Sequence, residues 1–409
     1  MASRIRVLYI DNSIGFGGST KSLSLTVGAR ADLDRYVLTS QIPSMVRTWY
    51  RDFEVHGFRR IMNYRNRERM NRWLEHKVPW AFLRAGARKS IASLDLAATG
   101  LNLPRIARLA RARNIDLIHL NTGFEPQEGI IASRLLGVPC VVHLRGFVHT
   151  RSRLVLSLMK YVACVIGVSR AVSASVPTDR IPPERIVTIY DPVDIDRFDK
   201  ASTARDNVRS SLGFAQDDIV VAVFGRVVEW KGQLEFTRAL MKAIQDHPSL
   251  KGLIVGDEAD GTPDYARTIR GAIKASGLER HFVFAGYQEH VEPYYHASDI
   301  VVHSSIEPEP FGMVVPEAMA AKKPLVAADA GGPREIVTHG RDGLLVAPGD
   351  VEAMSAAIAE LARDPEKRHR MGLHGYQKVR DSFTIDRVAA RVMQVYRDIL
   401  SRTRDSQAW

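Results

Sequence analysis

Asp299-Ile-Val-Val-His303 runs straight into Ser304-Ser-Ile-Glu-Pro-Glu-Pro-Phe-Gly-Met-Val-Val-Pro-Glu-Ala-Met-Ala320. The first five residues form a short apolar, β-branched run, the pattern of a buried strand. A turn follows, and then a helix expected to begin near Phe311. A helix start directs free backbone N–H groups and a positive dipole end at whatever lies before it. Phe311, Gly312, Met313 and Val314 therefore border a place suited to phosphate. Glu309 precedes that place, and Glu317, eight residues on, is expected one to two turns inside the helix. A glycosidase pair would need its carboxyls about 5–9 Å apart across one bond. Eight residues of helix rise about 12 Å, and a preceding turn does not by itself close that gap. Glutamates also gather at helix starts for dipole reasons alone, so the other motifs decide.

The strand–turn–helix unit recurs along almost the whole chain. Strands are expected at 4–10, 36–40, 116–120, 139–144, 163–168 and 185–189, and again at 219–224, 252–255, 282–285, 299–303, 324–328 and 343–346. Helical patterns such as 152–161, 233–244 and 263–275 fall between them. Such alternation implies α/β architecture with parallel sheets covered on both faces: two Rossmann-like domains, with ligand loops at the carboxyl ends of the strands. Proline and aspartate break the pattern at Asp191-Pro-Val-Asp-Ile-Asp-Arg-Phe198. The first domain is placed at 1–192, completed by 385–409, and the second at 193–384. Asp194 and Asp196 have the spacing of a metal clamp but sit in this link and read as structural. The last segment, 385–400, is periodic in Val388, Val392, Val395 and Ile399.

With 409 residues, 45% of them hydrophobic, the chain can bury two cores. No apolar run reaches the roughly 18 residues of a membrane span. The opening residues hold too short an apolar stretch for a signal peptide and read as a first strand. Cys140 and Cys164 sit in strand-like runs, which suits buried free thiols in a reducing, cytoplasmic setting. The net charge of +11 is concentrated: Arg47–Arg113 holds 16 Lys and Arg against 5 Asp and Glu, leaving the rest of the chain near neutral. The same window contains Trp49, Trp73 and Trp80. Arginine mixed with tryptophan suits the inner face of an anionic membrane, where the protein would lie peripherally. An ordinary solvated basic face and a site for a soluble anionic acceptor stay open as readings, since Pro79 interrupts any continuous amphipathic helix. No nucleic-acid module accompanies the patch, so nucleic acid is not an expected partner.

Arg226 and Lys231 follow an expected strand in Phe224-Gly-Arg-Val-Val-Glu-Trp-Lys-Gly-Gln233. Arginine offers a forked donor for two phosphate oxygens, and lysine adds a mobile point charge. Gly15-Phe-Gly-Gly-Ser-Thr20 follows the first strand; its small residues let backbone approach a ligand, and Ser19 or Thr20 is expected to cap the next helix. His143 in Cys140-Val-Val-His-Leu-Arg-Gly146 ends a strand at the edge where ligand loops belong, and His119 is its rival on the preceding strand. No His/Cys cluster with metal-ligand spacing and no Ser-His-Asp pattern stands out.

Together, the Gly225-Arg-Val-Val-Glu-Trp-Lys-Gly232 run and the Glu309/Glu317 pair resemble the motifs of retaining, nucleotide-sugar-dependent glycosyltransferases of family 4, which have the GT-B fold. The resemblance implies two Rossmann-like domains facing across a cleft, with the last helix crossing back to the first domain. It implies Arg226 and Lys231 on the leaving diphosphate without a metal, Glu309 on sugar hydroxyls and Glu317 on the ribose. Gly17 and Gly18 match the glycine loop beside the donor phosphate, His143 a histidine near the sugar, and Gly256 and Tyr287 positions near the nucleoside base. Gly331-Gly-Pro-Arg-Glu335 matches a turn that shapes a loop. The link at 191–198 resembles the family hinge, with Asp191-Pro192 where Asn-Gly is usual. Pro310 stands where glycine is commoner, so no backbone donor is assigned there. The implied reaction is front-face substitution with retention, using a UDP- or GDP-linked sugar as co-substrate and no bound cofactor. The basic, tryptophan-bearing window of 47–113 makes a glycan or lipid-linked intermediate of surface polysaccharide or glycolipid synthesis the expected acceptor. A nucleotide-sugar epimerase or phosphorylase on the same fold, or a non-catalytic glycan- or nucleic-acid-binding scaffold, are the alternatives.

Overall fold

The computed structural model describes residues 4–11, 18–28, 30–39, 48–57, 73–74, 77–78, 80, 86, 100–125, 127–150, 152–258 and 263–407. Gly17 and most of the basic window lie outside these residues. The chain divides into two compact units, Met1–Tyr190 with Val388–Trp409, and Asp191–Arg387.

In the first unit the strands are β1 (Ile5–Asp11), β2 (Leu33–Thr39), β3 (Glu54–Gly57), β4 (Leu117–Leu120), β5 (Cys140–Leu144), β6 (Cys164–Gly167) and β7 (Ile186–Thr188). They pair in parallel in the order β3-β2-β1-β4-β5-β6-β7. The second unit contains β8 (Ile219–Phe224), β9 (Leu250–Val255), β10 (Phe282–Gly286), β11 (Ile300–His303), β12 (Leu325–Ala328) and β13 (Leu344–Val346). These are also parallel, in the order β10-β9-β8-β11-β12-β13. Strands in a parallel sheet are covered on both faces, which explains unbroken runs such as Val220-Val-Ala-Val223 in place of an alternating pattern. β3 is the strand that the sequence pattern does not announce. Its four residues, Glu-Val-His-Gly, hold one β-branched side chain and lie at the sheet edge, half-buried.

Each order reverses once, between β1 and β4 in the first unit and between β8 and β11 in the second. At such a reversal the connections leave in opposite directions, opening a crevice outside the carboxyl ends of the two strands. The Arg226–Lys231 segment follows β8, and Ser304 to Gly312 follows β11. The second unit's topology therefore brings these two motifs to one place.

Six helices matter here: α1 (Gly18–Val27), α2 (Gln233–Asp246), α3 (Glu292–Ala297), α4 (Val314–Ala320), α5 (Gly331–Ile336) and α6 (Ile385–Gln407). Phe236, Leu240 and Ile244 of α2 pack with Val221, Val223, Leu250 and Ile254 to form the core of the second unit. In the first unit Val388, Val392, Tyr396 and Ile399 of α6 join Val7, Tyr9, Leu23 and Leu33 in one core. The three-to-four-residue spacing in the last segment is thus a buried helix stripe. Each such aliphatic side chain contributes about 1.5–3 kcal/mol of burial, before ordering losses. Cys140 and Cys164 are free and buried. Among the described residues no helix is long and apolar enough to cross a membrane.

Candidate active site

Beyond β8 the chain turns at Gly225, whose N–H donates to Val255 O at 2.9 Å. It passes Arg226 and makes one 3-10 turn, Glu229–Lys231, before α2 begins. The loop after β11 is bound to this one: Ile306 N–H donates to Trp230 O at 2.9 Å, and Ser304 Oγ to Lys231 O at 2.8 Å. Lys231 Nζ, on a side chain 16% exposed, lies 2.6 Å from Glu309 Oε1. Arg226 is exposed, and no ion pair or hydrogen bond among the described residues engages its guanidinium.

Glu309 is buried and takes three donors on one oxygen. Lys231 Nζ, His303 Nε2 at 2.8 Å and the Ser305 hydroxyl all converge on Oε1. Among the described residues no hydrogen bond reaches Oε2. Burial opposes the charge on this carboxyl, but His303 and Lys231 outweigh burial and hold it well below the usual carboxylate range. A carboxylate only accepts, so His303 must carry its proton on Nε2. The Glu309 carbonyl also accepts from Gly332 N–H at 2.9 Å, which fastens the α5 turn beneath it.

The helix after this turn begins later than its sequence suggests. Gly312 has φ +78, a left-handed conformation that cannot continue a right-handed helix, so α4 starts at Val314 after Met313. Phe311 and Gly312 are therefore loop residues, with the Phe311 ring buried near Phe383. Glu317 is consequently the fourth residue of α4, in its first turn, and not one to two turns inside. It is buried, and Tyr295 Oη on α3 donates to its Oε2 at 2.9 Å. The Tyr295 ring in turn stacks on Phe224 at the end of β8, 3.7 Å between centroids and 9° from parallel.

Gly256 and Tyr287 lie at the carboxyl ends of the neighbouring strands. Gly256 N–H donates to Gly286 O at 2.9 Å, and a Cβ at Gly256 would fall 1.8 Å from the Gly225 carbonyl oxygen. Only glycine lets these two turns meet so closely. Tyr287 is exposed.

In the first unit Gly18 is the first residue of α1. Ser19 and Thr20 are thus inside the helix and do not cap it. Thr20 Oγ1 instead donates to Asp11 Oδ2 at 2.9 Å, an oxygen that also accepts from the Tyr50 hydroxyl. Asn121 Nδ2 reaches Asp11 Oδ1 at 3.3 Å, and Arg145 joins Asn121 Oδ1 and Ser22 Oγ, each at 2.9 Å. His143 is buried beside His119, their ring centroids 5.4 Å apart, and its Nε2 has no hydrogen-bond partner among the described residues. His119 Nδ1 meets Tyr396 Oη of α6 at 2.7 Å, which gives it a helix-docking role. Burial pushes His119 down to about 3 and His143 well below its ordinary value, with Arg145 acting in the same direction.

The second unit thus joins Lys231 to Glu309 beyond the carboxyl ends of β8 and β11, with Arg226 on the same loop as Lys231 and Glu317 in the first turn of α4. His303, Ser305 and Tyr295, which hydrogen-bond the two glutamates, are neighbours that sequence reasoning missed. The available signal for His303 was a polar residue closing an otherwise β-branched strand. Among the described residues no group of three His, Cys, Asp or Glu is placed to hold a metal ion.

Comparison with known proteins agrees with this architecture. Residues 204–378 match the family model described as glycosyl transferases group 1, and residues 50–197 match that of glycosyltransferase family 4. A lipopolysaccharide core biosynthesis mannosyltransferase of Rhizobium leguminosarum bv. viciae is 29% identical over 52% of this chain, a stretch that spans 59% of that relative's length. An alpha-maltose-1-phosphate synthase of Mycolicibacterium smegmatis is 26% identical over 75% of this chain and 84% of its own. The crystal structure of Anabaena Alr3699/HepE in complex with UDP superposes with a TM-score of 0.78 at 24% identity, covering 96% of this chain and 100% of that one. The paired parallel-sheet units are those of a GT-B glycosyltransferase fold. The two family models together take in well over half of the sequence, and the chain belongs to the group 1 glycosyltransferases.

Proposed function

We propose that the chain moves a sugar from a UDP- or GDP-linked donor to a glycan or lipid-linked acceptor, with retention at the anomeric carbon. The observation that carries this reading is the meeting of Lys231 and Glu309 at the strand reversal of the second unit, with Arg226 on the Lys231 loop and Glu317 in the first turn of the helix that follows Glu309. Departure of a nucleoside diphosphate builds negative charge on the leaving oxygens. Fixed cations at that position stabilise the transition state more than the ground state. Arg226 and Lys231 fill that role without calling on a metal. Glu309, anionic and tethered through Oε1, offers Oε2 to a sugar hydroxyl. Glu317, oriented by Tyr295, takes the ribose hydroxyls. The leaving phosphate accepts the acceptor's proton as the new glycosidic bond forms on the same face. Neither glutamate acts as nucleophile.

The acceptor is assigned to surface polysaccharide or glycolipid synthesis because the Rhizobium relative is named for lipopolysaccharide core assembly. Contact with an anionic membrane from the cytoplasmic side rests on the basic window, in which Trp73 and Trp80 are exposed. Sedimentation with anionic and with neutral liposomes tests that part, and equal binding to both at moderate salt removes it. The donor assignment is tested by calorimetry with UDP-glucose, GDP-mannose and ADP-glucose, with magnesium or with EDTA. Binding of one donor in EDTA is the expected result. No binding by folded protein in any condition overturns the reading.

A further inference from the structure

We infer that His303 is a positioning residue for the transfer reaction, holding the Glu309 carboxylate so that a single oxygen, Oε2, faces the ligand. This rests on the transferase reading above and deepens it. His303 closes β11 with its side chain buried, and it donates Nε2–H to Glu309 Oε1 at 2.8 Å, its one side-chain hydrogen bond among the described residues. Its other nitrogen, Nδ1, is buried and has no hydrogen-bond partner among the described residues. A sheet interior would ordinarily place an aliphatic residue here, since an orphan ring nitrogen costs desolvation with no return in packing. The return is orientation. Ser305 and Lys231 share the same carboxylate oxygen, but they differ from His303 in one respect. Lys231 carries a charge that the leaving diphosphate will compete for, and Ser305 sits on the motif loop itself. His303 belongs to the sheet, so its donor is anchored apart from the loop that bears Glu309. Gly312 passes close by: a Cβ there would lie 3.4 Å from His303 Nε2.

The test compares His303→Leu, which removes the donor, with His303→Gln, whose amide N–H sits where Nε2–H was. Nucleotide diphosphate release from UDP-glucose and from GDP-mannose, with water taking the sugar in place of the acceptor, is measured over a donor series, with thermal melting as the folding control. His303→Leu is expected to lower kcat roughly 10- to 100-fold while donor KM changes little, as a misaligned reactive group does. His303→Gln should recover most of that loss. A His303→Leu protein with wild-type kcat overturns the inference, and so does a folded His303→Gln protein as impaired as His303→Leu. If His303→Leu does not fold, His303→Asn replaces it; its amide falls short of Glu309, and activity equal to His303→Gln overturns the inference. Absence of release by the wild type with both donors overturns the transferase reading itself. Wild-type release with unaffected His303 variants overturns only the positioning role.

Discussion

Lys231 Nζ and Glu309 Oε1 come from loops 78 residues apart in sequence and meet at 2.6 Å, the closest approach of the β8 and β11 motifs. The pair is largely buried, so each charge depends on the other. It joins the group proposed for the leaving diphosphate to the group proposed for the sugar. Donor phosphate would draw on a lysine already held in place.

Lys231→Ala should therefore lower turnover by about 10²–10³-fold, the usual loss when a preorganised charge is removed from a developing anion. It should also lower the melting temperature, because Glu309 keeps its burial and loses a cation. Steady-state kinetics and calorimetric melting check the two halves. Arg226→Ala should lower turnover with no loss of stability, since that guanidinium is exposed and unengaged among the described residues.

Tyr295→Phe isolates the support beneath Glu317. The ring stack on Phe224 survives, while a buried carboxylate loses one donor, at a cost of about 1–3 kcal/mol in stability. Donor KM should rise with little change in kcat, the reverse of the pattern expected for His303. A Tyr295→Phe protein that loses kcat at constant KM would contradict the ribose role of Glu317.

Gly312→Ala should both strain the chain and shift the motif. Its φ of +78 costs an L-residue about 1–2 kcal/mol, and the new methyl would sit 2.8 Å from Pro333 Cγ. Denaturant unfolding reads the first effect, and nucleotide release the second.

Acid should weaken the first unit before the ordinary carboxylate range is reached. His119 stays neutral in the folded chain down to about 3, whereas the unfolded chain takes up that proton near 6.5. Between those values the unfolded state binds more protons, so stability falls as pH falls, by about 1.4 kcal/mol per pH unit for each such histidine. His143 adds to the slope in the same direction. Glu309, depressed when folded, contributes fully above about 4.5 and loses its contribution below that. Urea midpoints from pH 6.5 to 4 should drop steadily in the wild type and less steeply in His119→Gln. A level wild-type profile would contradict the burial argument.

Much of the fold is legible in the sequence because parallel strands are buried on both faces and announce themselves as unbroken β-branched runs. Ile219–Phe224 is such a strand, and the Val388–Ile399 stripe likewise announces α6. β3 escapes because a half-buried edge strand needs few apolar residues. The start of α4 escapes because glycine's left-handed conformation leaves no mark in a hydrophobic pattern. At the site, Arg226, Lys231 and the two glutamates stand out as charges in the segments that follow β8 and β11. His303 and Tyr295 touch those glutamates from within the packed sheet and α3, where only coordinates show what a polar atom touches.

The most direct measurement of the central claim is nucleotide diphosphate release from UDP-glucose and GDP-mannose, with water taking the sugar, by the wild-type chain beside Lys231→Ala and Glu309→Gln, all confirmed folded. Release by the wild type, sharply reduced in both variants while nucleotide binding persists in Glu309→Gln, is the expected result. Equal release by all three proteins would contradict the assignment of this site to sugar transfer.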